Sequence, residues 1–141
     1  MKKNTAKNVL IVEDDMLLSL VEERLIQKLG HNVVGKVTTG KEAIEKSKEL
    51  SPDLIMMDII LKGEMDGIEA MEKIREESEV PVIYLSGNSD RYNFERAKKT
   101  QFTDYLVKPI TSKDLKKPMD IAFSNDVTSN VENVTRFQKT A

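Results

Sequence analysis

Short apolar runs separated by helical patterns make up most of this chain, and four of the runs end on polar residues. Residues 9–12 lead into Glu13, 54–57 into Asp58, 82–85 into Ser86, and 105–107 into Lys108. Short continuous apolar runs are typical of strands buried on both faces, as in a parallel sheet covered by helices. Because parallel strands end at the same edge of a sheet, the pattern predicts one site that combines acids, a hydroxyl and an ammonium group.

The segments between the runs carry helical signals, so we expect five βα units and a doubly wound domain of three layers. Asp66 is predicted to cap the third helix, whose inner face holds Ile68, Met71 and Ile74. The first helix has apolar residues at helical spacing and a glycine stop, namely Leu18, Val21, Leu25, Leu29 and Gly30. The fourth helix, residues 90–99, is polar and has three residues to bury, namely Tyr92, Phe94 and Ala97.

Composition narrows the classes of partner. The chain carries 22 Lys and Arg against 24 Asp and Glu, a net charge of -2, which gives no case for direct nucleic-acid or membrane binding. The absence of cysteine excludes a disulfide framework and a thiolate metal site. No apolar stretch approaches the roughly 20 residues of a membrane helix, and the first residues lead into no signal core. We therefore expect a cytoplasmic protein.

Asp58 is the first candidate for chemistry. A lone aspartate at a strand end more often caps the following loop, but a carboxylate can also accept a phosphoryl group as an acyl phosphate. Glu13 and Asp14 come close to Asp58 if the first and third strands are neighbours. Three carboxylates in one crevice repel each other and do not all stay ionised unless a cation lies among them. An all-oxygen donor set favours Mg²⁺ as that cation. We expect Asp14 to touch the metal directly, Glu13 to act through water, and Asp15 mainly to cap the first helix.

Lys108 and Ser86 are candidates to contact the same phosphoryl group. Pro109 restricts the Lys108 backbone to an extended conformation, so its ammonium group is presented from a fixed strand end. Ser86, which the small Gly87 follows, offers a hydroxyl. Taken alone, Lys108 would be interpreted as a solvated surface lysine and Ser86 as a turn residue. The functional interpretation is favoured only because both lie at the same edge of the predicted sheet as Asp58.

Four motifs, in this order, resemble the receiver domain of two-component response regulators over about residues 7–117. They are VLIVEDD at 9–15, PDLIMMD at 52–58, MDGIEA at 65–70 and DYLVKP at 104–109. The resemblance implies a flavodoxin-like, five-stranded parallel sheet of order 2-1-3-4-5 with helices on both faces. It also implies that Asp58 takes a phosphoryl group from a histidine kinase or phosphotransfer protein. Asp14, Asp58 and the backbone carbonyl of Ile60 would hold Mg²⁺.

The resemblance further implies a switch that works by binding and not by releasing a product. Ser86 and Tyr105 would be the switch pair, in which the hydroxyl moves toward the phosphate and the aromatic ring turns inward behind it. The affected surface would be the fourth helix, fifth strand and fifth helix, which could also support a dimer. The sparse apolar content of residues 90–99 agrees, because a weakly packed helix is easier to shift.

Two features depart from the family pattern, and a third observation goes beyond it. The family usually has a glycine after the fourth helix, where this chain has residues 99–102 (KTQF), so we expect the exit into the fifth strand to differ. Pro118 inside the last helix predicts a kink or a restart.

Ile60 and Asn88 stand two residues beyond Asp58 and Ser86. Because Ile60 cannot hydrogen-bond an attacking water and should crowd its path, we expect slow hydrolysis of phosphorylated Asp58.

The domain organisation is expected to be a tail at 1–6, a receiver domain at 7–124 and a frayed or weakly helical tail at 125–141. Fewer than 30 residues follow Lys113, too few for an output module, so we expect a stand-alone receiver or one cut from a longer protein.

Three other classes of function compete with this interpretation. An aspartyl-phosphate hydrolase would normally have a second aspartate where Ile60 stands. A flavin or nucleotide binder would have a glycine-rich phosphate loop, and neither GxGxxG nor GxxxxGK[ST] occurs. A receiver-like adaptor that is never phosphorylated stays open, although the full set of acids, hydroxyl and lysine argues against it.

Overall fold

Parallel strands alternate with helices in the computed structural model, which describes residues 5–87 and 91–124. The strands are β1 (Asn8–Val12), β2 (Asn32–Val37), β3 (Leu54–Asp58), β4 (Val82–Ser86) and β5 (Asp104–Val107). The helices are α1 (Met16–Lys28), α2 (Gly40–Leu50), α3 (Gly67–Ile74), α4 (Arg91–Lys98) and α5 (Ser112–Ser124). The strands lie in the order β2-β1-β3-β4-β5, which confirms the predicted doubly wound sheet. The predictions for Asn88, Asp90 and residues 125–141 lie outside the described residues.

Helices cover both faces of the sheet, which explains why its central strands are continuously apolar. Successive strand residues face opposite sides, so Leu10 and Ile55 pack in one core while Val9 and Leu54 pack in the other. The first core includes residues of α2, α3 and α4, namely Ala43, Ile68, Met71, Phe94 and Ala97. The second includes residues of α1 and α5, namely Ile26, Leu115 and Met119. None of the helices in the described ranges is both long and apolar enough to span a membrane.

The register of the strands brings the predicted site residues to one edge. Val12 lies opposite Met57, so Glu13 and Asp58, the next residue of each strand, are neighbours. Ser86 lies opposite Val107, so Lys108 follows directly beside it. The Lys108 backbone N–H donates to the Ser86 carbonyl at 2.8 Å, and the peptide bond between Lys108 and Pro109 is cis.

The apolar residues at helical spacing in α1 do not mark its buried side. Val21 is 44% exposed, and the buried line of this helix runs through Ser19, Glu22 and Ile26. Leu18, Leu25 and Leu29 are only half-buried. Apolar residues lie on several sides of the first two turns, so periodicity alone could not select the buried face.

Helix α4 buries fewer residues than its sequence suggested. Phe94 and Ala97 are fully buried as expected, but Tyr92 is 75% exposed and the prediction for it was wrong. The Tyr92 ring instead lies 5.7 Å from the guanidinium carbon of Arg96, a cation–π contact at the surface.

The expected restart of the last helix at Pro118 does not occur. Helix α5 is continuous from Ser112 to Ser124, with Pro118 on its buried side. Leu115 and Met119 pack into the same core before and after the proline. Burial on both sides of Pro118 therefore holds the helix together across the missing backbone hydrogen bond.

The exit from α4 keeps the left-handed conformation without a glycine, so the expectation of a different exit was wrong. Gln101 takes this position with φ of 58°. Two hydrogen bonds to Thr100 stabilise this corner, the turn between α4 and β5. The Arg75 Nε donates to the Thr100 carbonyl at 2.7 Å, and the Tyr84 hydroxyl lies 2.7 Å from the Thr100 hydroxyl. Tertiary contacts thus impose a backbone conformation that Gln101 disfavours.

Replacing Gln101 with glycine is expected to raise the free energy of unfolding by about 0.5–1 kcal/mol, because it removes the Cβ strain at positive φ. Urea denaturation of Gln101→Gly and Gln101→Ala measures this. Alanine keeps the Cβ atom and is expected to give no gain. Equal stability of the two variants would contradict strain at this corner.

Candidate functional site

Three side chains from three strand ends meet at the carboxyl edge of the sheet. Asp58, the last residue of β3, is 3% exposed. The Lys108 ammonium Nζ donates to Asp58 Oδ1 at 3.2 Å and lies 3.5 Å from Glu13 Oε1. One partly exposed lysine therefore faces two buried carboxyl groups.

Asp14 completes a group of carboxylates. One oxygen each of Glu13, Asp14 and Asp58 lies within 4.8 Å of the others. Asp15 points elsewhere, since its carboxylate accepts from the Leu18 N–H at 3.0 Å and caps α1, as its sequence position predicted. The Asp15 N–H in turn donates to Glu13 Oε2 at 3.2 Å.

The remaining predicted residues border this group. Ser86 is buried at the end of β4, and a side-chain Cβ at Gly87 would meet open space. Tyr105 is also buried, and its ring packs edge-on against Phe94 with centroids 5.4 Å apart. Its ring therefore already occupies an inward position in this structure. Ile60, in the loop after β3, is 66% exposed.

Gly67 fixes the loop that follows Asp58. A Cβ atom at this first residue of α3 would overlap the backbone carbonyl oxygen of Asp58 and approach the Met57 side chain at 2.8 Å. The Gly67 N–H donates to the Ile59 carbonyl at 2.8 Å. Asp66, just before it, forms the predicted N-cap, and its capping box with Glu69 is complete. The helix start therefore packs directly on the backbone of Asp58.

Sequence reasoning missed one residue of the site, Glu22. This residue of α1 is 3% exposed, and burial together with the nearby carboxyl group of Glu13 raises its pKa. Glutamates on a surface helix are usually solvated, so nothing in the local pattern marks this one. Its spacing of three and four from Ser19 and Ile26, the other buried residues, is the signal that could have found it.

Burial and crowding raise the pKa values of two carboxyl groups. The pKa of Asp58 rises to about 7, first because burial disfavours its charge, then through the hydrogen bond and charge of Glu13, against which Lys108 acts. The pKa of Glu22 rises to about 9 for the same reasons, burial first and Glu13 second. Burial alone would lower the pKa of Lys108, but the charges of Asp58 and Glu13 raise it overall. Negative charge is therefore in excess at this edge.

The donor set fits a magnesium ion. All the converging groups are carboxylates, which are hard oxygen donors of the kind Mg²⁺ prefers. Glu13 Oε1 is fully buried and accepts no hydrogen bond from the described part of the chain. A divalent cation among these oxygens would supply the positive charge that Lys108 alone does not.

An apolar surface on α1 adjoins the site along the chain. It consists of the exposed residues Met16, Leu17, Leu20 and Val21, hereafter the α1 patch. It begins two residues after Asp14. Ile60, which is also apolar and exposed, stands two residues after Asp58. Exposed apolar side chains therefore follow both Asp14 and Asp58 along the chain.

Replacing Asp58 with asparagine is expected to stabilise the metal-free protein at high pH. Between about pH 4 and pH 7 the folded protein holds a proton here that the unfolded chain has lost, so wild-type stability falls as the pH rises through this window. The asparagine side chain does not titrate, so the variant does not lose stability in this way. We expect it to be more stable by on the order of 2 kcal/mol at about pH 8, with little difference near pH 4.

Urea denaturation at both pH values, with a chelator present, measures the effect. A stability difference that did not change with pH would contradict the raised pKa of Asp58.

Comparison with known proteins places this site in a family. The response regulator receiver domain model matches residues 9–120. The chemotaxis protein CheY of Thermotoga maritima is 38% identical over 104 residues, which cover 73% of this chain and 86% of CheY. The probable C4-dicarboxylate response regulator DctR of Halalkalibacterium halodurans is 36% identical over 118 residues, which cover 82% of this chain. This chain spans only about half, 51%, of the length of DctR.

A solved structure agrees with these sequence relationships. The solution structure of the PhyR response regulator receiver domain of Erythrobacter litoralis is 30% identical, with a TM-score of 0.74, and the match covers 86% of this chain and 94% of that one. Fold, motifs and family model therefore agree, and this chain belongs to the response regulator receiver domain family of two-component signalling.

Proposed function

We propose that this chain is a phosphorylation-controlled switch, in which Asp58 accepts a phosphoryl group from the phosphohistidine of a cytoplasmic histidine kinase or phosphotransfer protein. The observation that carries this proposal is the buried Asp58 carboxyl group held 3.2 Å from Lys108 among further acids. An Asp58 oxygen attacks the phosphorus, the bond from phosphorus to the histidine nitrogen breaks, and the histidine leaves with the electron pair. The unit that does this is residues 7–124.

Electrostatics supports a metal-assisted transfer. A phosphoryl group carries negative charge into a site that already contains an excess of carboxylates, so transfer needs added positive charge. Asp14, Asp58 and the Ile60 carbonyl would hold Mg²⁺ directly, with Glu13 acting through water. Bound there, the ion would offset the charge of the phosphoryl oxygens. Lys108 can exchange its contact with Asp58 for one with a phosphoryl oxygen.

Packing supports α4, β5 and α5 as the surface that responds. The Ser86 hydroxyl, with Gly87 beside it, would move toward the new phosphoryl group, and the Tyr105 ring, which is already buried against Phe94, would stay behind it as its switch partner. Helix α4 is attached by few buried side chains, chiefly Phe94 and Ala97. The surface would then bind a downstream protein or a second copy of this chain.

One ion pair fastens α4 to the loop beside the site. The Arg96 guanidinium Nη1 on α4 lies 2.9 Å from Asp66 Oδ2, and its Nη2 donates to Asp66 Oδ1 at 3.2 Å. Asp66 is also the N-cap of α3. Any displacement of α4 must therefore stretch or break this pair.

The α1 patch supports a protein as the phosphodonor. A donor histidine must come within bonding distance of Asp58, so the protein that carries it must cover the nearby surface, which is apolar. The alternative of an aspartyl-phosphate hydrolase has less support, because Ile60 stands where such enzymes normally carry an aspartate. The alternative of an unphosphorylated adaptor does not explain why the acids and Lys108 converge.

Incubation with a small phosphodonor such as acetyl phosphate, together with Mg²⁺, is expected to add one phosphoryl group to the intact protein. Mass spectrometry measures the adduct. Asp58→Asn is expected to abolish it, whereas Asp15→Asn, which alters a neighbouring carboxylate used as a helix cap, is expected to retain it. No adduct on the wild type, or an adduct that survives Asp58→Asn, would overturn the proposal.

Replacing Ile60 with asparagine is expected to speed hydrolysis of phosphorylated Asp58 several-fold, because an amide can orient the attacking water and a branched alkyl group cannot. The decay of the adduct in Mg²⁺ measures this rate. Leu17→Asn is the matched control, since Leu17 is 71% exposed and equally apolar but lies on α1. An unchanged half-life for Ile60→Asn would contradict a slow, long-lived signal set by this residue.

A further inference from the structure

Helices α4 and α5 form one continuous surface with the last strand of the sheet. Strand β5 lies at the end of the strand order, beside β4. The Tyr105 ring of β5 contacts Phe94 of α4, with centroids 5.4 Å apart, and Leu106 packs against the core that contains Leu115 of α5. The two helices therefore flank this strand on opposite faces of the sheet. We call the exposed part of α4, β5 and α5 the β5-edge surface.

The helices of the β5-edge surface are basic, although the chain as a whole is slightly acidic. Residues 91–99 and 112–124 contain seven Lys and Arg against three Asp and Glu, whereas the whole chain has a net charge of -2. The remainder of the chain is therefore net negative. Because charged partners respond to the local field as well as to the net charge, an anionic group would be attracted to this surface.

The three acids of these helices are already engaged within them. Glu95 lies 3.2 Å from the ammonium Nζ of Lys98, and Asp120 lies 3.4 Å from that of Lys116. The Asp114 carboxylate accepts a backbone N–H at 2.9 Å at the start of α5. These acids therefore do not neutralise the other cations of the surface.

Three lysines remain without a counter-ion. Lys99, Lys113 and Lys117 are exposed, and none of them forms an ion pair with another residue in the described ranges. Exposed charges of this kind contribute little to the stability of the fold. Their ammonium groups are thus available to an anionic partner.

Two exposed side chains make the partner a protein. Tyr92 of α4 is 75% exposed, and Val107 at the end of β5 is 40% exposed. Aromatic side chains and arginine are enriched at protein interfaces, and apolar groups such as Val107 find no counterpart on a phosphate backbone. A long nucleic acid would also meet the net negative charge of the rest of the chain.

A second copy of this chain fits the surface less well than a different protein. A symmetric dimer brings the same patch of both subunits together, so the lysines of one basic surface would face those of the other. Like charges placed opposite each other at an interface are unfavourable. Charge complementarity therefore favours an acidic partner.

We propose that the β5-edge surface binds an acidic protein segment, whose carboxylates pair with Lys99, Lys113 and Lys117 and whose apolar side chains contact Tyr92 and Val107. The inference rests on the proposed function, since it gives the chemistry of the partner for the surface that would respond to phosphorylation. A shift of α4 relative to α5 would change the spacing of these cations, and with it the affinity for the segment.

NMR titration of the labelled protein with designed peptides tests the chemistry of the partner, with and without phosphorylation of Asp58. One peptide is an amphipathic helix with Glu on its polar side and Leu on its apolar side, and two others carry Gln or Lys in place of Glu. The acidic peptide is expected to shift the signals of α4, β5 and α5. Its Kd is expected to be roughly tenfold lower than that of the Gln peptide in at least one of the two states.

Charge reversal locates the binding surface. Lys113→Glu combined with Lys117→Glu is expected to weaken binding of the acidic peptide by roughly tenfold. Lys28→Glu combined with Lys41→Glu is the matched control, because these lysines are also exposed but lie on α1 and α2. The control changes the net charge by the same amount and is expected to keep the affinity within about twofold. Urea denaturation verifies that both double variants are folded.

Equal affinity for the acidic and Gln peptides would overturn the inference, and so would an equal loss in the two double variants. Failure of the acidic peptide to bind in either state, or tighter binding of a short DNA duplex at the same salt concentration, would also overturn it. In each of these cases a phosphoryl adduct on Asp58 would leave the proposed function intact. Binding that depends on Lys113 and Lys117 in a protein that forms no adduct would overturn the proposed function and leave the acidic partner.

Discussion

Repulsion among buried carboxyl groups is the constraint on which the site depends. The parallel register places Glu13 beside Asp58 because Val12 and Met57 are opposite each other, and Glu22 adds a third buried acid from α1. Lys108 is the one ammonium group that the described chain brings within 4 Å of Asp58. The folded protein thus holds an excess of negative charge at the point where the sheet also has its ligand crevice.

This excess connects stability with function. A site optimised for stability would pair each acid with a base or replace it with an apolar residue. The raised pKa of Asp58 means that its ionised form is instead energetically disfavoured in the folded protein, and a bound cation would reduce that penalty. Sites that bind and react commonly carry such local instability, and the surrounding fold offsets it. Here that support comes from a sheet whose central strand β3 is buried throughout.

Sequence reasoning recovered the topology and the convergence of the site because both follow from local patterns. Apolar runs identify strands that are buried on both faces, and parallel connections force their ends together. The buried face of α1 could not be predicted, since it includes a carboxyl group, that of Glu22, whose burial depends on how the helix packs on the sheet. The conformation of Gln101 likewise depends on bonds from Arg75 and Tyr84 to Thr100. Such contacts override local propensity and leave no trace in a single sequence window.

The ion pair between Arg96 and Asp66 links helix α4 to the loop that follows Asp58. Asp66 serves two helices at once, as the N-cap of α3 and as the anchor of α4. Both side chains are partly exposed, so dissolved salt weakens their attraction, whereas the packing of Tyr105 against Phe94 is shielded from it. If α4 moves as proposed, the ionic strength of the surroundings becomes a second input that sets how readily the surface responds at a given level of phosphorylation.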